Sequence, residues 1–115
     1  KRREHTIHSA HANLTLVNSA AAREDLRWLG RGNGRWVLKE AIRRLQADPT
    51  METRHMKTLR ENALAQRELR LHGKYRILFN IDLERREVTI LVVAIKRHNE
   101  LFVRGQRFRA WEACG

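Results

Sequence analysis

Two arginines flank a short turn in the segment Arg70-Leu71-His72-Gly73-Lys74-Tyr75-Arg76. Leu69 and Leu71 alternate with Glu68 and Arg70 before the turn. After it, Tyr75, Ile77, Phe79 and Ile81 alternate with Arg76, Leu78 and Asn80, which is the pattern of a β-hairpin. A three-residue loop, His72 to Lys74, pairs Leu71 with Tyr75 and Leu69 with Ile77, gathers the apolar residues on one face and sets Arg70 opposite Arg76. A two-residue loop would bury a guanidinium on the core side, so the longer loop is expected. Two arginines facing each other across strands repel, and an anion between them relieves the repulsion. A guanidinium fork fits two phosphate oxygens, so the chemistry on offer is phosphate binding.

A second basic cluster, Lys96-Arg97-His98-Asn99, ends the longest aliphatic run of the chain, Ile90 to Ile95. An imidazole there can give or take a proton near neutral pH, beside the charge of Lys96. His5, His8 and His11 recur every three residues, but only Glu4 stands near them to complete a metal shell. A solvated tail is the simpler reading, and neither metal nor other cofactor is expected.

These residues need a scaffold, and the flanking sequence supplies one. Residues 1–12 are polar, basic and without periodicity, which predicts a flexible basic arm ahead of a single domain over 13–115. Leu14 to Val17 read as a strand, and Ser19 as the N-cap of a helix over Ala20 to Leu29 that Gly30 stops. Gly32, Asn33 and Gly34 read as a connection. A second helix then runs from Arg35 to about Ala47, ended by Asp48 and Pro49, so an antiparallel helical hairpin is expected. Residues 50–64 carry no clear period, although an edge strand can begin near Thr58. Val88 to Ile95 is apolar on both parities, as in an innermost strand covered on both faces. Leu101 to Val103 and Gln106 to Trp111 read as a closing hairpin around Arg104 and Gly105. The fold class is therefore α+β, with a strand and helical hairpin on one face of a small, mainly antiparallel sheet.

At 115 residues, one core is the expectation. The 42% hydrophobic content is too high for a disordered chain, and the net charge of +11 calls for an anionic partner. Cys114 is the only cysteine, which excludes an intramolecular disulfide and favours a reducing cytoplasm. The Ile90 to Ile95 run falls far short of the roughly 20 residues that span a bilayer. The basic start, Lys1 to Arg3, is not followed by the apolar core of a signal peptide.

The segments "LTLVNSAAAREDLRWL" from Leu14, "RELRLHGKYRILFNID" from Arg67 and "VTILVVAIKRHNELF" from Val88 resemble the RelE/ParE superfamily of type II toxin–antitoxin toxins, over roughly residues 14–103. The resemblance implies a RelE-like fold with a basic surface opposite the helices, and a toxin that cleaves mRNA on the ribosome and is neutralised by a neighbouring acidic antitoxin. It assigns the site to Arg70, Arg76, Lys96 and His98. Arg67, Lys74, Arg97 and Arg104 stand as further RNA contacts. Trp28 and Trp36 are expected in the core or against the antitoxin. RNA cleavage through the 2′-hydroxyl needs a base, an acid and charge stabilisation at phosphorus, and in principle no metal. The arginines and Lys96 would stabilise charge, and His98 would move a proton. Phe102 stands where RelE-type members carry a functional tyrosine, and phenylalanine cannot exchange a proton. Two alternatives stay open: a ParE-like inhibitor that binds DNA gyrase, and a non-toxic basic nucleic-acid-binding module.

Overall fold

The computed structural model describes residues 3–9, 12–45, 50, 53–59 and 64–108. Its elements are β1 (Arg3–Ser9), β2 (Ala12–Asn18), α1 (Ala20–Leu29), α2 (Arg31–Leu45), β3 (Met56–Thr58), β4 (Arg67–Leu71), β5 (Tyr75–Asp82), β6 (Glu87–Arg97), β7 (Glu100–Val103) and β8 (Gln106–Phe108). The architecture is α+β. The sheet runs β1-β2-β6-β5-β4-β3, with β7 on β6 and β8 on β7. Every pairing is antiparallel except β2 with β6. Among the described residues, no helix is long and apolar enough to cross a membrane.

The longest strand, β6, organises the sheet. One edge pairs along β5, while the other carries β2 at its start, Thr15 beside Glu87, and β7 at its end, Ile95 beside Phe102. A β-bulge leaves Leu91 unmatched, because Leu78 pairs with Val92 and Phe79 with Ile90. That extra residue switches the parity of the strand. Val88, Ile90 and Val93 therefore share the main core with Leu14, Leu16, Leu69, Ile77, Phe79, Val37 and Leu45. Val92 and Ala94 face away and join Leu78, Ala65 and Leu101 in a second, smaller core. Each fully buried Leu, Ile or Phe side chain contributes about 1.5–3 kcal/mol.

Local signals explain the helices. The Ser19 hydroxyl accepts the Ala22 N–H at 3.1 Å and donates to the Leu91 carbonyl at 3.2 Å, which ties the cap of α1 to the bulge of β6. Gly30, at φ 97, ends α1. The second helix starts four residues earlier than the composition suggests. Gly32, Asn33 and Gly34 belong to its first turns, and Gly34 is where the two helices meet: a Cβ there would lie 2.4 Å from the Leu26 carbonyl oxygen. The end expected near Ala47 lies outside the described residues, as do residues 109–111 of the closing hairpin.

The basic arm expected at residues 1–12 is corrected over Arg3–Ser9. These residues form β1 and pair with β2 from Arg3 opposite Asn18 to Ser9 opposite Ala12. Strand pairing uses backbone groups that composition does not report, and polar, charged sequences are common on sheet edges. The other turns are tight. Arg86, exposed between β5 and β6, sits at φ 53, where an L side chain is strained. Arg86→Gly is expected to raise stability by about 0.5 kcal/mol in urea unfolding, the relief of strain outweighing the added freedom of the unfolded chain.

Candidate functional site

The register that places the arginines is the one expected: Leu71 pairs with Tyr75, Arg70 with Arg76 and Leu69 with Ile77. Positive φ at His72 and Gly73 makes the turn. Leu69, Leu71, Tyr75 and Ile77 are buried on the helix side. Arg70 and Arg76 consequently lie on the opposite face, with Ala94 across from Arg76. One row further along, the Lys96 N–H donates to the Lys74 carbonyl at 2.7 Å, which brings both lysines to the same end of the sheet.

The anion that relieves the arginine pair belongs to the chain itself. Glu68, two residues before Arg70 on the same face, accepts from Arg70 Nε at 2.8 Å. Glu68 is only 8% exposed and Arg76 5%. Arg76 Nη1 also donates to the Tyr75 carbonyl at 3.1 Å. Burial holds the Arg76 guanidinium below its usual pKa, a loss that Glu68 offsets and Arg70 deepens. The result is an Arg70–Glu68–Arg76 triad beside the second apolar core.

The remaining assignments separate. His98 and Asn99 form the two-residue turn between β6 and β7, both at positive φ and both exposed. Exposed Arg97 has the parity of Ile95 and so belongs to the helix side of the sheet. Arg67 shares the parity of Leu69 and is buried, donating to the Thr58 hydroxyl at 3.1 Å. Arg104 reaches Asp25, 3.0 Å from its Oδ1. Phe102 pairs with Ile95, which packs on the main core, so its parity is opposite to that of Leu101 and Arg76. Trp36 contacts the His72 and Tyr75 rings at centroid distances of 4.8 and 5.9 Å, whereas Trp28 is 52% exposed.

Sequence reasoning did not single out His55 or Lys57. The Arg70 N–H donates to the His55 carbonyl at 2.7 Å, and Lys57 pairs with Glu68. His55 extends the Arg70 row outward and Lys57 the Glu68 row, but Thr53 to Thr58 carries no periodic signal that would have exposed them. A more consequential omission is Asp25. It is 2% exposed on α1, where its Oδ2 accepts the Val93 N–H at 2.9 Å just past the bulge. Here β6 has neither β2 nor β7 beside it, and the carboxylate takes the place of a neighbouring strand. Burial raises the Asp25 pKa above its usual value. The Val93 bond and the Arg104 charge counter that rise, and Glu24 adds to it.

Among the described residues, no group of three His, Cys, Asp or Glu side chains is arranged to hold a metal ion. His11, the last of the three spaced histidines, lies outside the described residues. Compared with protein-family models, curated proteins and solved structures, the chain matches none.

Proposed function

We propose that this chain is a RelE-like toxin that cuts mRNA on the ribosome through the RNA's own 2′-hydroxyl. The observation that carries this reading is the cross-strand Arg70–Arg76 pair on the sheet face opposite the helices, with Lys96 at the parity of Ala94, the residue across from Arg76. The sheet and its two helices also agree with a RelE/ParE-like fold. A scissile phosphate would compete with Glu68 for Arg70. Arg70 and Arg76 would stabilise its developing charge, and His98, or His55 beside Arg70, would exchange the proton. Lys96 extends the RNA contact along β6, whereas Arg97 and Lys74, whose ammonium lies 5.4 Å from the centroid of the Tyr75 ring, belong to the helix side. Arg67 and Arg104 contribute through the fold, by their bonds to Thr58 and Asp25. The partners are the ribosome, its mRNA and an acidic antitoxin, and the compartment is the cytoplasm.

One observation favours a ParE-like reading in which the chain binds DNA gyrase without cleaving RNA. Glu68 already pairs with Arg70, and Arg76 is almost wholly buried before any phosphate arrives. Primer extension on a defined mRNA, with and without programmed ribosomes, separates the two. The expected result is new 5′ ends that require ribosomes and fall at least about 100-fold in Arg76→Ala, a loss of the size seen on removal of a charge stabiliser. The folded state of that variant is checked by circular dichroism. Intact mRNA from a protein that still arrests growth would assign gyrase or another bound target.

A further inference from the structure

A cleft of about 520 Å³ opens where α1 meets α2, on the helical side of the molecule and away from the Arg70–Arg76 face. Arginines at positions 23, 27, 31 and 35 all line it. The four-residue spacing, carried from one helix through Gly30 into the next, converges them on one space. No carboxylate is among its lining residues. Arg27 pairs with Glu24 and Arg23 donates to the Asn18 carbonyl at 3.0 Å, but Arg31 and Arg35 have no carboxylate partner among the described residues. Four guanidiniums around one cleft repel each other, and a bound anion removes that penalty.

The cleft floor carries a second, independent signal. Asn18 lines it with the parity of Leu14 and Leu16, is 1% exposed, and has no hydrogen-bond partner for either its Oδ1 or its Nδ2. Burying a carboxamide with both ends unmet is unfavourable, so its donor and acceptor are poised for a ligand. Leu26 and Leu38 add an apolar wall. The volume falls within the range of about 300–1,000 Å³ that small-molecule sites occupy.

We propose that this cleft is a binding site for an organic phosphate of nucleotide size, with its phosphates on Arg31 and Arg35 and an uncharged polar group on Asn18. A single phosphate would leave Asn18 unmet, and an unphosphorylated nucleoside would leave the arginines unmet. The site is separate from the triad, so its ligand need not be a piece of the RNA.

Calorimetric titration at fixed ionic strength tests this with ADP, inorganic pyrophosphate, adenosine and a ten-nucleotide RNA as probes. ADP is expected to bind one to one, more tightly than pyrophosphate and at least about 100-fold more tightly than adenosine, since two charge-assisted contacts are at stake. The Arg31→Ala/Arg35→Ala variant, changed only at exposed side chains, should weaken ADP by at least about tenfold. Asn18→Leu should bring ADP down to the affinity of pyrophosphate, and Arg76→Ala should leave it unchanged. Absence of ADP binding, or binding that survives Arg31→Ala/Arg35→Ala, overturns the proposal. Displacement of ADP by the RNA, with loss of RNA binding in the same double variant, overturns it in favour of a nucleic-acid contact.

Discussion

Gly34→Ala is expected to destabilise the protein by about 2–4 kcal/mol, against the usual sign of a glycine-to-alanine change inside a helix. Helix propensity alone would make alanine about 1 kcal/mol better. The steric term wins because the new methyl would lie 2.4 Å from the Leu26 carbonyl oxygen and 3.2 Å from its carbon. Those are backbone atoms of α1, held by Ser19 and Asp25 to β6, so they cannot rotate away as a side chain would. Relief requires α2 to move outward, which loosens Val37, Ala41 and Leu45 in the main core. Gly32→Ala supplies the control. It lies in the same helix, its Cβ would meet nothing within 4 Å, and its expected change is a gain of up to about 1 kcal/mol. Urea unfolding of the pair should give opposite signs. Equal gains would mean that the helices do not meet at Gly34.

Asp25→Ala should cost about 2–4 kcal/mol, because it strands the Val93 N–H beside the bulge and leaves Arg104 without its partner. The Arg104 share is the smaller one, since that side chain is half exposed and screened by water. Asp25→Asn keeps an oxygen for Val93 and should retain most of the stability, which separates the hydrogen bond from the charge. The pH dependence has a definite sign. The folded-state pKa of Asp25 is raised, first by burial, so above its usual value of 3.8 the folded protein holds a proton that the unfolded chain releases. From 3.8 up to the raised value, stability falls with increasing pH, and below 3.8 this penalty is absent. Wild type should therefore lose stability relative to Asp25→Asn across that window. Parallel pH profiles would place the charge in water.

Elements that depend on nearby residues were legible in the sequence. Ser19 and Gly30 bound α1 through their own side-chain or backbone chemistry. The β4–β5 register follows from keeping the leucines on the face of Tyr75 and Ile77, and it alone sets Arg70 opposite Arg76. The apolar run ending at Ile95 announced a central strand covered on both sides. Gly32, Asn33 and Gly34 misled because glycine serves a turn and a close helix contact equally well, and only the neighbour at Leu26 distinguishes them.

The rest was decided by residues far apart in the chain. The strand Arg3–Ser9 exists through backbone bonds to β2, which no pattern of side chains encodes. The bulge at Leu91 changes which face each later residue of β6 occupies, and from 68 positions away Asp25 fills the gap that β2 and β7 leave beside Val93. Glu68 offsets one charge of the arginine pair because β4 puts it on their face, and Arg76 is buried because a second core grows beside it. By itself, then, the sequence determined the α+β class, the hairpin register and the strong positive charge, since these follow from local periodicity and residue type. Tertiary structure alone decided which charges are paired, which are buried and which remain open around the α1–α2 cleft, because desolvation and pairing depend on what the folded chain brings alongside each group.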